Sequence, residues 1–70
     1  MESTNSRNVG DKIKAVRKEK GLTQDALAKK ADIPYTTLTK LESNVMTKPS
    51  IQTVEKITKG LGITIDELLK

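Results

Sequence analysis

Apolar positions along this chain recur at intervals of three and four, and the polar stretches between them divide it into five short segments. Val9, Ile13 and Val16 stand at i, i+4 and i+7, which is one face of a helix. Asn8 is placed to cap its start, and Gly21 stands where a left-handed residue ends a helix, so the first helix is predicted over 9–20. Lys12, Lys14, Lys18 and Lys20 then fall mostly on its wet side. Thr23 is an N-cap for a second helix over 24–31, where Asp25 suits the positive end of the helix dipole and three alanines keep one side slim. Asp32 follows at a tight turn.

Pro34 opens the third segment, where its missing N–H and fixed φ are tolerated at a helix start. Ile33, Leu38 and Leu41 mark a buried face there. The β-branched run Thr36-Thr37-Leu38-Thr39 would also suit a strand. The preceding proline, the following Glu42 and the lack of period-two alternation decide for helix over 35–43. Residues 43–49 form a loop ended by Pro49. Ser50 can cap a fourth helix carrying Ile51, Val54, Ile57 and Leu61, stopped by Gly60 or Gly62. Thr64-x-x-Glu67 is a capping-box pattern opening a short fifth helix with Leu68 and Leu69. The expected fold is therefore all-α and five-helical, one domain over 9–70 behind a flexible polar arm at 1–8.

Composition narrows the function classes. With 70 residues, a single core is near the lower limit for folding without staples. The chain has no Cys and no His, which excludes disulfides and a Cys/His zinc site and removes the usual catalytic base and nucleophile. There is no glycine-rich phosphate loop, and capping explains Asp66 and Glu67 better than acid–base work does. No enzyme activity, cofactor, metal or small-molecule ligand is expected. The longest apolar run is far short of the roughly 20 residues that cross a bilayer. Thirteen basic against nine acidic residues give a net charge of +4, which suits a polyanionic partner. Tyr35 is the single aromatic residue, too few rings to stack a single strand, so a duplex is favoured.

The informative constellation lies in 23–43. Asp32-Ile33-Pro34 is so short a joint that the second and third helices must cross steeply. Ala28 and Ala31 are expected to let the third helix lean on the second, with Leu27, Ile33, Leu38 and Leu41 filling the wedge against the first. What remains outside on the third helix is short and polar: Tyr35, Thr36, Thr39 and Lys40. Such a face fits the major groove of B-DNA, about 12 Å wide.

A longer pattern runs through Ile13-Lys14-x-x-Arg17-Lys18-x-Lys20-Gly21-Leu22-Thr23-Gln24 and Leu27-Ala28-x-x-Ala31. It continues through Ile33-Pro34-x-x-x-Leu38-x-x-Leu41-Glu42, Pro49-Ser50 and Leu61-Gly62-Ile63-x-x-Asp66-Glu67-Leu68-Leu69. This is a resemblance, from about Val9 to Leu69, to the phage repressor and Cro type of helix-turn-helix regulator, the XRE family. It implies a compact lambda-repressor-like domain with the helix-turn-helix at helices 2 and 3. It implies that Tyr35, Thr36, Thr39 and Lys40 face base edges, while Gln24, Thr37, Ser43, Asn44 and Lys48 hold the phosphate backbone. Gln24 would also orient the start of helix 3, and Arg17 and Glu42 would form a structural ion pair between helix 1 and the end of helix 3. Two positions depart from the pattern: Asp32 stands where the family has glycine in the turn, and Asn44-Val45-Met46 replaces an Asn-Gly turn.

Plainer readings stand beside these. Gln24 can be an ordinary helix-surface residue, Lys40 a solvated charge, and Tyr35 a ring lying over the turn. The lysines of helix 1 read better as a solvated face than as a second DNA site. Val45 and Met46 read as cover for the edge of the core. The expectation is a cytoplasmic regulator of transcription, a repressor, that reads double-stranded DNA as a homodimer; the resemblance implies a dimer surface at helix 5 or the loop before it, with Ile65 and Leu69 as its candidates if they are exposed. The rival expectation is an antitoxin or adaptor on the same scaffold, with a protein as its partner.

Overall fold

The computed structural model describes residues 9–69 and contains five helices in the order α1 (Val9–Glu19), α2 (Gln24–Ala31), α3 (Tyr35–Glu42), α4 (Ile51–Leu61) and α5 (Ile65–Leu69). No strand occurs among the described residues, so the threonine run of α3 is helical. Thr39 turns its hydroxyl back to the Thr36 carbonyl at 2.9 Å, an internal bond open to a helical threonine. The arm at 1–8 and the cap expected from Asn8 lie outside the described residues. Helices α1 and α3 each end one residue earlier than the spacing suggested.

The ends are fixed locally. Thr23 accepts from the Ala26 amide at 3.0 Å and Ser50 from the Thr53 amide at 3.2 Å. Thr64 and Glu67 close a reciprocal box, each side chain taking the other's amide, at 3.0 and 2.9 Å. Helices α1, α2 and α4 stop in the same way. A left-handed residue (Gly21, Asp32 or Gly62) is followed by an apolar one whose amide reaches back five residues, Leu22 to Arg17, Ile33 to Ala28 and Ile63 to Thr58, each at 3.0 Å. Asp32 takes φ 59°, the conformation that the resemblance asks of a glycine there. After α3 the left-handed residue is Asn44, at φ 65°, and the Val45 amide reaches Lys40 at 2.9 Å.

The core is Ile13, Leu27, Ala28, Ala31, Leu38, Leu41, Val54, Ile57, Leu61 and Leu68. Ile33 is half-buried against it with Val9, Val16, Leu22 and Met46. Helix α2 packs most extensively on α4 rather than on α3. A Cβ added at Gly60 would lie 3.0 Å from the Ala31 nitrogen and 3.1 Å from its Cβ. The slim side of α2 at Ala31 thus also admits α4, a contact beyond the expected α2–α3 crossing. Gly62, not Gly60, caps α4; Gly60 sits within it, where α4 comes close to Ala31. Val45 is also corrected: Met46 covers the core edge, but Val45 is 74% exposed because the chain has already turned away at Asn44.

Candidate nucleic-acid interface

Helix α3 has two unlike sides. Leu38, Leu41 and Glu42 are buried, Thr37 is half-buried beside them, and Tyr35, Thr36, Lys40 and Ser43 are exposed on the other side with half-buried Thr39 between them. At 3.6 residues per turn these five share one continuous arc. It is polar along its length, and the Tyr35 ring, 49% exposed, is its one large apolar body. Ser43 donates its hydroxyl to the Lys40 carbonyl at 3.3 Å, which keeps that end of the arc compact.

The buried side is held by a polar network. Arg17 on α1 donates from Nε to Glu42 Oε2 at 2.8 Å and from Nη2 to Oε1 at 3.0 Å, a two-pronged pair. Its Nη1 donates to the Leu22 carbonyl at 2.7 Å, in the link between α1 and α2. Gln24, the first residue of α2, donates from Nε2 to Glu42 Oε1 at 3.1 Å and accepts the Tyr35 hydroxyl at 3.4 Å. One guanidinium therefore ties α1, the approach to α2 and the end of α3 together, and Gln24 extends the tie to the start of α3. Gln24 thus bridges the two ends of α3, through the Glu42 carboxylate at one and by a longer bond to the Tyr35 hydroxyl at the other.

The structure places the remaining expected residues as follows. Lys48 is exposed in the loop before α4. Asn44 is exposed, but its Nδ2 donates to Asp11 Oδ1 at 3.1 Å, so its side chain ties the post-α3 turn to α1. Sequence reasoning missed Asp11 in this role, and it missed Gly10, which is buried where α1 crosses the Leu41 carbonyl. A signal for Gly10 was present: it stands at i, i+3 and i+7 with Ile13 and Arg17, on the face that turns inward. Among the described residues no cluster of His, Cys, Asp and Glu could hold a metal ion, and no helix is long and apolar enough to cross a membrane.

Three comparisons bear on this arrangement. The helix-turn-helix family model matches residues 13–68. The transcriptional regulator SinR of Bacillus subtilis (strain 168) is 41% identical over 61 residues, 87% of this chain and 55% of SinR. The immunity repressor of Bacillus phage phi105 is 39% identical over 61 residues, 87% of this chain and 42% of that repressor. The chain thus spans about half the length of these curated relatives. Among solved structures, that of SinR, the master regulator for biofilm formation, in complex with DNA superposes with a TM-score of 0.84 at 40% identity, covering 89% of this chain and 98% of that one.

Proposed function

Since the chain belongs to the helix-turn-helix family, we propose that it is a sequence-specific regulator of transcription, a repressor, which reads an operator in double-stranded DNA through α3. The observation that carries this reading is the exposed polar arc of α3, whose two ends are tied to α1 and α2 through Arg17, Glu42 and Gln24. The likeness to a DNA-bound regulator over nearly the whole chain supports it. Tyr35, Thr36, Thr39 and Lys40 meet base edges in the major groove. Gln24, Thr37, Ser43, Lys48 and the backbone at Asn44 grip phosphates and set the register. The place of action is the cytoplasm, where the operator is.

One domain of this size covers too few base pairs to be selective alone, so the working form is a homodimer on a near-palindromic operator, with half-sites about 34 Å apart on one face. Leu69, 58% exposed at the end of α5, is offered as part of the dimer surface; Ile65, half-buried against the core, is not. Selection from a random duplex pool tests the whole reading. It should return a two-fold symmetric site. A pool that emerges unenriched rejects DNA reading and leaves a protein-binding role.

Two substitutions separate reading from gripping. Lys40→Ala should weaken binding to the selected site by about 1–3 kcal/mol and relax the preference at one base pair, as expected for a lysine on guanine. An equal loss on every sequence in anisotropy titrations removes Lys40 from the base-reading set. Lys48→Ala should weaken binding uniformly and reduce the slope of log affinity against log salt by about one. An unchanged slope shows that Lys48 meets no phosphate.

A further inference from the structure

We propose that the Tyr35 hydroxyl is presented to DNA mainly as a hydrogen-bond acceptor, and so favours an exocyclic amino group, adenine N6 or cytosine N4. The inference deepens the DNA-reading function above and rests on it. It starts from Glu42, whose carboxylate is paired with Arg17 and lies 3.1 Å from the Gln24 amide. An ionised carboxylate offers lone pairs and no proton. The Gln24 atom turned toward it must therefore be the nitrogen, because the flipped amide would set two oxygens against each other. With Nε2 on Glu42, Gln24 Oε1 points to the Tyr35 hydroxyl, 3.4 Å away.

An amide oxygen also offers only lone pairs, so the phenol supplies the proton. A phenol has one, and what it has left for DNA is acceptor capacity. In the major groove the only donors are adenine N6 and cytosine N4; guanine N7 and O6, thymine O4 and adenine N7 are acceptors. Phosphate oxygens are acceptors as well. A hydroxyl of this polarity matches adenine or cytosine and mismatches guanine, thymine and the backbone. Tyr35 is the first residue of α3 and half exposed, at the end of a recognition helix that meets base edges. Glu42 and Gln24 act here as positioning residues, since neither has to touch the base. At 3.4 Å the phenol–amide bond is longer than the usual O–H···O distance of about 2.7–2.8 Å, so the bias amounts to one modest hydrogen bond, about 3- to 10-fold in affinity.

The test is pool selection followed by titration with the parent chain, Tyr35→Phe and Gln24→Met. The parent should select adenine or cytosine at one position of each half-site. Tyr35→Phe keeps the ring and loses the oxygen, so that position should lose its 3- to 10-fold preference while the others persist. Gln24→Met releases the phenol proton, so the same position should widen to admit guanine or thymine. A Gln24 that only gripped phosphate would lower all affinities alike and leave the position unchanged. The inference is overturned if Tyr35→Phe alters no position, or if the position it alters carries guanine or thymine in the parent's site. A parent chain that enriches no sequence overturns the DNA-reading function itself, a result distinguishable from either of those.

Discussion

Gly10→Ala is expected to destabilise the domain by about 3 kcal/mol or more, although alanine is the better helix former by roughly 0.5–1 kcal/mol. The two effects oppose each other, and geometry decides between them. A Cβ on Gly10 would fall 1.8 Å from the Leu41 carbonyl oxygen and 2.8 Å from its carbon. The obstacle is backbone rather than the tip of a flexible side chain, so no rotamer change relieves it. Helix α1 would have to retreat from α3 by about 1 Å or more, and a close-packed interior does not absorb that smoothly. Ile13 and Arg17 lie on the same face of α1 and would be carried along, opening the core and stretching the pair with Glu42. A domain of this length has roughly 4–10 kcal/mol of stability in all, so a large part of it is at stake. Urea unfolding should show the midpoint falling with little change in slope, and the melting temperature should drop by about 12 °C or more. A Gly10→Ala chain as stable as the parent would show that α1 and α3 are not in backbone contact.

The second large effect is at Arg17. Arg17→Met should cost about 3–5 kcal/mol, because it strands the Glu42 carboxylate, whose side chain is 1% exposed and would keep only the Gln24 amide as a partner. Glu42→Leu should cost less. The guanidinium it leaves is 11% exposed, can reach water, and still donates to the Leu22 carbonyl. The double variant, Arg17→Met with Glu42→Leu, should recover most of the loss, since well-packed apolar groups can replace a buried pair with little change in stability. Urea unfolding of the four proteins closes the cycle. Single losses below about 1 kcal/mol would mean that the pair behaves like one on the surface. The double variant also separates stability from reading. It should be folded, yet Gln24 no longer has a carboxylate to fix its amide, so the base preference at the Tyr35 position should relax while the affinity that rests on phosphate contacts persists.

Much of the molecule could be read from one dimension. The first three helices lie within a residue of the expected bounds, because caps and terminators act over three to five residues. Thr23, Ser50, the Thr64–Glu67 box and the left-handed residues Gly21, Asp32 and Gly62 each bond to their own neighbourhood. The buried face was legible for the same reason, since Ile13, Leu27, Leu38, Leu41, Ile57 and Leu61 announce it by spacing. The wet arc of α3 then follows as what the apolar positions leave over, and the family resemblance supplied its proposed roles.

Other features needed the folded chain. That Ala31 also makes room for α4, that Gly10 must lack a side chain, that Val45 turns outward and that Asn44 leans on Asp11 could not be read from periodicity. The polarity of Gln24, and with it the proposed polarity of Tyr35, depends on Glu42, eighteen residues further along. What the sequence determined by itself was the set of helices, their ends and their inward faces, because these rest on bonds and spacings within a turn or two. The tertiary structure alone decided which small residue meets which backbone and which way an amide points. Those outcomes turn on distances of a few tenths of an ångström between residues far apart in the chain, and no local pattern encodes them.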